Sequence, residues 1–149
     1  MSDPYLSYSE AQAYFDERLS SEAWDEASTT DKTKALKMAT KAINKLYFSG
    51  ELTDSNQINA FPRGGDTVVP QDILDATCEI AIVLLDGFDE EIEKANLAAV
   101  SQGVGDARAT YAPELVRSHI VAGIASGKAW NLLKPYLRDP YEFEVSRVS

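Results

Sequence analysis

The stretch "PQDILDATCEIAIVLL", Pro70 to Leu85, constrains the fold more than any other part of the chain. Ile73, Ala76, Thr77, Ile80, Ala81 and Leu84 recur at three- and four-residue steps, which puts them on one face of a helix. Val83 and Leu85 widen that stripe, so the helix needs neighbours on more than one side and belongs at the centre of the fold. Pro70 suits its first turn, where a backbone N–H has no intrahelical acceptor anyway. Gly87 suits its end. The longest apolar run, Ile80 to Leu85, is too short to cross a bilayer. Cys78, the one cysteine, lies inside this helix with no histidine near it in sequence and reads as a small core residue.

Two earlier segments offer helices to pack against it. In "SYSEAQAYFDERL", Ser7 and Glu10 have the spacing of a capping box. Tyr8, Ala11, Phe15 and Leu19 follow as one apolar stripe. A short turn around "SEAWDEA" comes next, with Trp24 as its anchor in the core. The second helix is capped by Thr29 or Thr30, and Asp31 suits the positive end of its dipole. Leu36, Ala39, Ile43 and Leu46 share its inner face, with Tyr47 beside them and Gly50 as a stop. Lys34, Lys37, Lys41 and Lys45 line a different side. That row can meet an anion, although a solvated helix face is the simpler reading.

Residues from about 49 to 69 are rich in Gly, Asp, Asn, Ser and Pro and form a long connection. A loop of this length in a small domain usually carries a function or a contact. Within it, "AFPRGG" lacks the Lys-Ser/Thr of a phosphate-binding loop. Pro62 restricts the backbone on both sides of itself. Phe61 anchors the loop in the core, and Gly64 and Gly65 permit the turn toward Pro70. Arg63 keeps a guanidinium fork for a carboxylate, which in an oligomer belongs to the next copy.

Further on, "LAAVSQGVGDARATY" predicts a β-hairpin at about 97–111. After Pro113 the pattern is helical again, with interruptions near Gly123 and Gly127. At the end, Tyr141, Phe143 and Val145 alternate with polar residues, a strand pattern with no adjacent strand. The expected fold class is therefore mainly α: a small helical bundle with a β-hairpin and an extended C-terminal tail. Residues 1–137 form the helical domain, and 138–149 form the tail. Trp24, Phe61 and Ile80 are the expected core anchors.

A chain of 149 residues is about one domain's worth. Its 24 acidic residues outnumber its 14 basic ones, giving a net charge of −10. Such a chain on average repels a phosphate backbone, though a local basic patch can still form. A single cysteine allows no intrachain disulfide and no cysteine-based metal cluster. "MSDPYLSYSE" lacks the basic and apolar regions of a signal peptide. His119 is the only histidine and reads as a structural or surface residue. "DGFDEEIE" is acidic but lacks the spacing of a calcium loop and reads as a solvated face, so no metal is expected. "GVG" has neither the third glycine nor the βαβ unit of a dinucleotide site. No catalytic residue or cofactor is expected, and the chain does not read as an enzyme.

The order of these features resembles the bacteriophage head-tail connector proteins, also called adaptor or head-completion proteins, over roughly Tyr5 to Leu137. Related sequences carry the label DnaT-like single-stranded-DNA-binding protein. The resemblance rests on "YLSYSEAQAYFDERL" with Trp24 nearby, and on "DKTKALKMATKAINKLYFSG". It continues through Gln57 before Phe61-Pro62-Arg63, the Pro-led "ILDATCEIAIVLL", "SQGVGDARATY" and "LLKPYL". Phe61 stands where tryptophan is common, and residues 114–128 are longer than the usual connection. The resemblance implies a structural virion protein that forms a homo-oligomeric ring of about twelve copies. That ring docks on the portal protein, extends the DNA channel and offers a platform to a tail or second neck protein. Double-stranded DNA passes through it without specific binding. The tail residues Tyr141, Phe143 and Val145 would bind the portal, and Arg63 the neighbouring copy. The expected location is the virion neck, with the host cytoplasm during assembly and no membrane. The alternative is a single-stranded-DNA-binding module, for which Arg63 beside Phe61 and the lysine row are the best case.

Overall fold

Every residue from Ala76 to Ile82 is buried, so the helix that contains them is enclosed on all sides. In this computed structural model, which describes residues 3–87 and 119–138, that helix is α4 (Gln71–Leu85). Before it come α1 (Tyr8–Asp16), α2 (Glu22–Glu26) and α3 (Thr29–Asn44). After it come α5 (Gly127–Leu133) and a 3-10 turn, Lys134–Tyr136. α4 packs mainly against α3 and α5, and also touches α1 and α2. The fold is mainly α. Among the described residues there is no strand, only isolated antiparallel bridges at Phe48–Leu137 and Leu52–Arg63. The expected hairpin at 97–111, and Tyr141, Phe143 and Val145 of the tail, lie outside the described residues.

The capping box of α1 forms as its sequence requires. Ser7 Oγ accepts from the Glu10 N–H at 3.2 Å, and the Glu10 carboxylate accepts from the Ser7 N–H at 2.8 Å. The helix ends at Asp16, however, and Ser20 adopts a left-handed φ of 58°. Leu19 therefore leaves the apolar stripe and is 89% exposed. Trp24 sits on a short helix rather than a turn and is fully buried. Its ring stacks on Phe15 with centroids 4.4 Å apart, and its indole N–H donates to Gln12 Oε1 at 3.0 Å. The cap of α3 is Ser28, one residue before the threonines, with Oγ accepting from the Asp31 N–H at 3.1 Å. Leu36, Ala39 and Ile43 are buried on its inner face, and Leu46 is buried just past its end. Gly127 begins α5 instead of interrupting a helix, while Gly123 makes the preceding turn with φ 86°. Trp24, Phe61 and Ile80 are all buried.

A carboxylate enters this core. Glu79 on α4 is buried and accepts from Arg18 Nε at 2.9 Å and Arg18 Nη2 at 3.0 Å, and from the Tyr14 hydroxyl. Burial alone would push the Glu79 carboxyl up, but the hydrogen bonds from Arg18 and Tyr14 outweigh it and hold the carboxyl below its usual range. Burial and this carboxylate together raise the Tyr14 hydroxyl well above its ordinary value.

A folded carboxyl that titrates below its unfolded counterpart stabilises the protein above the ordinary glutamate pKa of about 4.3. That stabilisation is lost as pH falls through the folded value. Thermal unfolding of Glu79→Gln should therefore show a smaller drop in Tm than the parent chain between about pH 5 and pH 3. Equal acid sensitivity in the two proteins would show that Glu79 contributes nothing to it.

Candidate functional site

The long connection between α3 and α4 has no regular structure, yet it is closely tied down. Arg63 is its hub. Its guanidinium donates to four backbone carbonyls: Ser49 at 2.9 Å, Ala60 at 3.1 Å, Phe48 at 3.3 Å and Gly50 at 2.6 Å. Phe61, joined to Pro62 by a cis peptide bond, is buried between Phe48, Tyr136 and Tyr5 in edge-to-face contacts. A polar network fastens the same segment to α3. Asn44 Oδ1 accepts from the Tyr5 hydroxyl and from the Ala60 N–H, and Asn44 Nδ2 donates to Asn59 Oδ1. Burial pushes the Tyr5 hydroxyl up to about 12, so it stays a donor. The Arg63 fork, expected to be kept for another subunit's carboxylate, is engaged by carbonyls of its own loop. Four of the five N–H directions of a guanidinium are used within its own chain.

The same segment pairs with the chain after α5. Ser49 N–H donates to Tyr136 O at 2.9 Å, and Arg138 N–H donates to Tyr47 O at 3.0 Å. The Ser49 hydroxyl adds a bond to Leu137 O at 3.0 Å. These contacts bring Arg138 to the end of α3, with its guanidinium carbon 5.2 Å from the centroid of the Tyr47 ring. Tyr47 is 58% exposed.

Lys34, Lys37, Lys41 and Lys45 lead up to this pair. All four are exposed. At 3.6 residues per turn they fall within an arc of about 80° and span about 16 Å along α3. None has a carboxylate within 4.0 Å among the described residues. Lys32 belongs to the same run but turns inward, with Nζ 5.2 Å from the Trp24 ring centroid and 5.4 Å from that of Tyr8. Residues 29–45 hold five of the 14 basic residues and one of the 24 acidic ones. They carry +4 in a chain of −10, so the remainder carries −14. The lysine row was legible in the sequence, whereas its continuation through Arg138 was not, because nothing local to either segment signals the pairing.

The other candidate groups are spoken for. Burial pushes the Cys78 thiol up to about 12, which removes its nucleophilic form at neutral pH. His119 Nδ1 donates to Ile124 O at 2.7 Å. No cluster of metal-ligating side chains occurs among the described residues, and no described helix is long and apolar enough to cross a membrane. An opening of about 600 Å³ beside Ala23 and Val83 presents Arg18, already bonded to Glu79, together with the carboxylates of Glu22 and Asp86.

What these observations define is an anion-attracting helix face with an aromatic ring at one end. Residues 1–148 match the model of a family described as "Putative DnaT-like ssDNA binding protein", and the chain belongs to that family. No curated protein and no solved structure matches it.

Arg63→Lys tests the hub. A lysine cannot reproduce the planar fork, and lost bonds to a charged donor cost about 1–3 kcal/mol. The urea midpoint should fall accordingly, and proteolysis within residues 49–69 should accelerate. An unchanged midpoint and digestion pattern would show the four bonds to be dispensable.

Proposed function

We propose, on the premise of that family membership, that the chain binds single-stranded DNA along the outer face of α3. The observation that carries this reading is the charge segregation. The four exposed lysines attract a phosphate backbone, while the −14 borne by the rest of the chain repels it elsewhere. A strand is thereby confined to one track. Arg63, the residue that the sequence offered for this role, is occupied by carbonyls, and Arg138 takes its place. Binding to a single strand with four phosphate contacts should weaken with salt at a slope of about −3 in log K against log salt concentration. Fluorescence anisotropy of a labelled oligothymidylate measures this directly. The Lys34→Glu, Lys41→Glu double variant should lose the binding and the slope together. Binding that ignores salt, or that survives the double reversal, would count against the reading.

A second reading, the head-tail adaptor, is favoured by what the DNA-binding reading leaves unused. Ile58 and Val68 on the long loop are 70% and 72% exposed and suit contacts with protein. The acidic remainder suits a channel wall along which double-stranded DNA passes without being held. On this reading the partners are the portal protein, about twelve copies of the chain itself and a tail or second neck protein, in the virion neck. Tyr141, Phe143 and Val145 would supply the portal contact. Electron microscopy of the protein mixed with portal rings should then show an added ring of density below the portal. Bare portals at saturating protein would dismiss it. On either reading the chain acts by binding and not by catalysis.

A further inference from the structure

We infer that Met38 is the base contact of the α3 face: the strand lays its phosphates along the lysines and turns its bases toward the edge that Met38 occupies. The inference rests on the DNA-binding reading above and adds the part of the ligand that lysines cannot recognise. Lysine ammonium groups meet phosphate, which single strands and duplexes both present. A base offers an apolar π-face, and a side chain gains from covering it only if it is itself apolar and open to solvent. In a duplex those faces are already stacked on one another.

Met38 has both properties. It is 55% exposed, and within residues 34–45 it is the one large apolar side chain that is exposed. Exposed apolar residues scattered over a surface need no explanation, but Met38 stands among four lysines in a stretch that holds no acidic residue. Lys34 and Lys41 are its i−4 and i+3 neighbours, so they lie next to it on the helix surface. At 3.6 residues per turn, Lys34, Lys41 and Lys45 fall within about 40° of one another and set the line of the row. Lys37 lies about 60° to one side of Lys34, and Met38 about 40° to the other. The two edges of the face therefore differ. Beyond Met38 the surface passes to Ala42, which packs against the core and carries no charge. Asp31, two turns nearer the N-terminus on that same edge, is exposed and repels phosphate there. A backbone held on Lys34, Lys41 and Lys45 thus has a cation on its Lys37 side and an apolar shoulder on its Met38 side, and the bases go to the shoulder. A thioether against a ring tolerates any base, so no sequence preference is required.

Anisotropy with a labelled oligothymidylate, the same strand built with abasic sites, and a duplex of equal length separates the contributions. Met38→Ala keeps the helix, since the site is exposed and alanine is the best helix former. It should weaken oligothymidylate binding about five-fold and leave the salt slope unchanged, because no phosphate contact is lost. Met38→Phe should tighten the same binding about three-fold, since a ring stacks on a base better than a thioether does. Abasic strand and duplex should bind both variants within about two-fold of the parent, because phosphate contacts alone hold them. Parent-like oligothymidylate binding by Met38→Ala, weaker binding by Met38→Phe, or an equal change on abasic strand overturns the base contact. If the lysine reversals still abolish binding in that case, the α3 interface stands without it. If the parent chain binds no DNA at low salt, the interface and the base contact fall together.

Discussion

A single guanidinium gathers the middle of this chain. The carbonyls of Phe48, Ser49, Gly50 and Ala60 converge on Arg63, which no pairing between side chains of this loop could bring about. A connection without helix or strand has many backbone groups and few partners for them. Arg63 satisfies four acceptors at once, and Gln57 supports the same turn by donating from Nε2 to the carbonyls of Asn59 and Pro62. With the loop drawn in, Phe61 reaches the core and residues 47–49 face the chain that follows α5. The position of Arg138 beside Tyr47 is thus a remote consequence of the contacts that Arg63 makes.

The basic face of α3 has a different origin, in the core. Leu36, Ala39 and Ile43 are buried, and α3 packs against α4, which is itself enclosed over seven consecutive residues. Once that side is committed, Lys34, Lys37, Lys41 and Lys45 have nowhere to point but outward. Lys32, a half-turn away from Lys34, falls over Trp24 and Tyr8 and is used for packing. Cation–π contact lets a lysine lie against aromatic rings with its charge partly compensated, which explains how one member of the run can be buried while four stay exposed.

The helices were largely legible because their apolar spacing is a local property. The inner faces of α3 and α4 and the capping box of α1 follow from residues within a few positions of one another. Errors arose where two local signals competed. Leu19 continues the α1 spacing, but the chain turns at Ser20, whose carbonyl, with that of Leu19, accepts from the Arg18 guanidinium. Ser28, Thr29 and Thr30 are all competent caps, and only the register of the folded helix selects the first. The site was half legible. A row of lysines is visible in one dimension, but the ring and guanidinium that extend it come from segments joined only by tertiary contacts. The acceptors of Arg63 were illegible for the same reason, since they are carbonyls and a sequence carries no mark of where a carbonyl points.

Arg63 also differs in kind from the charges on α3. It is held by uncharged dipoles, and no ion pair involves it among the described residues. Mobile ions screen contacts between exposed charges far more than short hydrogen bonds in a partly buried cradle. Raising ionic strength should therefore release whatever anion lies along α3 while the loop keeps its shape. On the DNA-binding reading, occupancy and architecture answer to separate variables in this molecule, and a strand held along α3 would be rinsed away without loosening the scaffold that presented it.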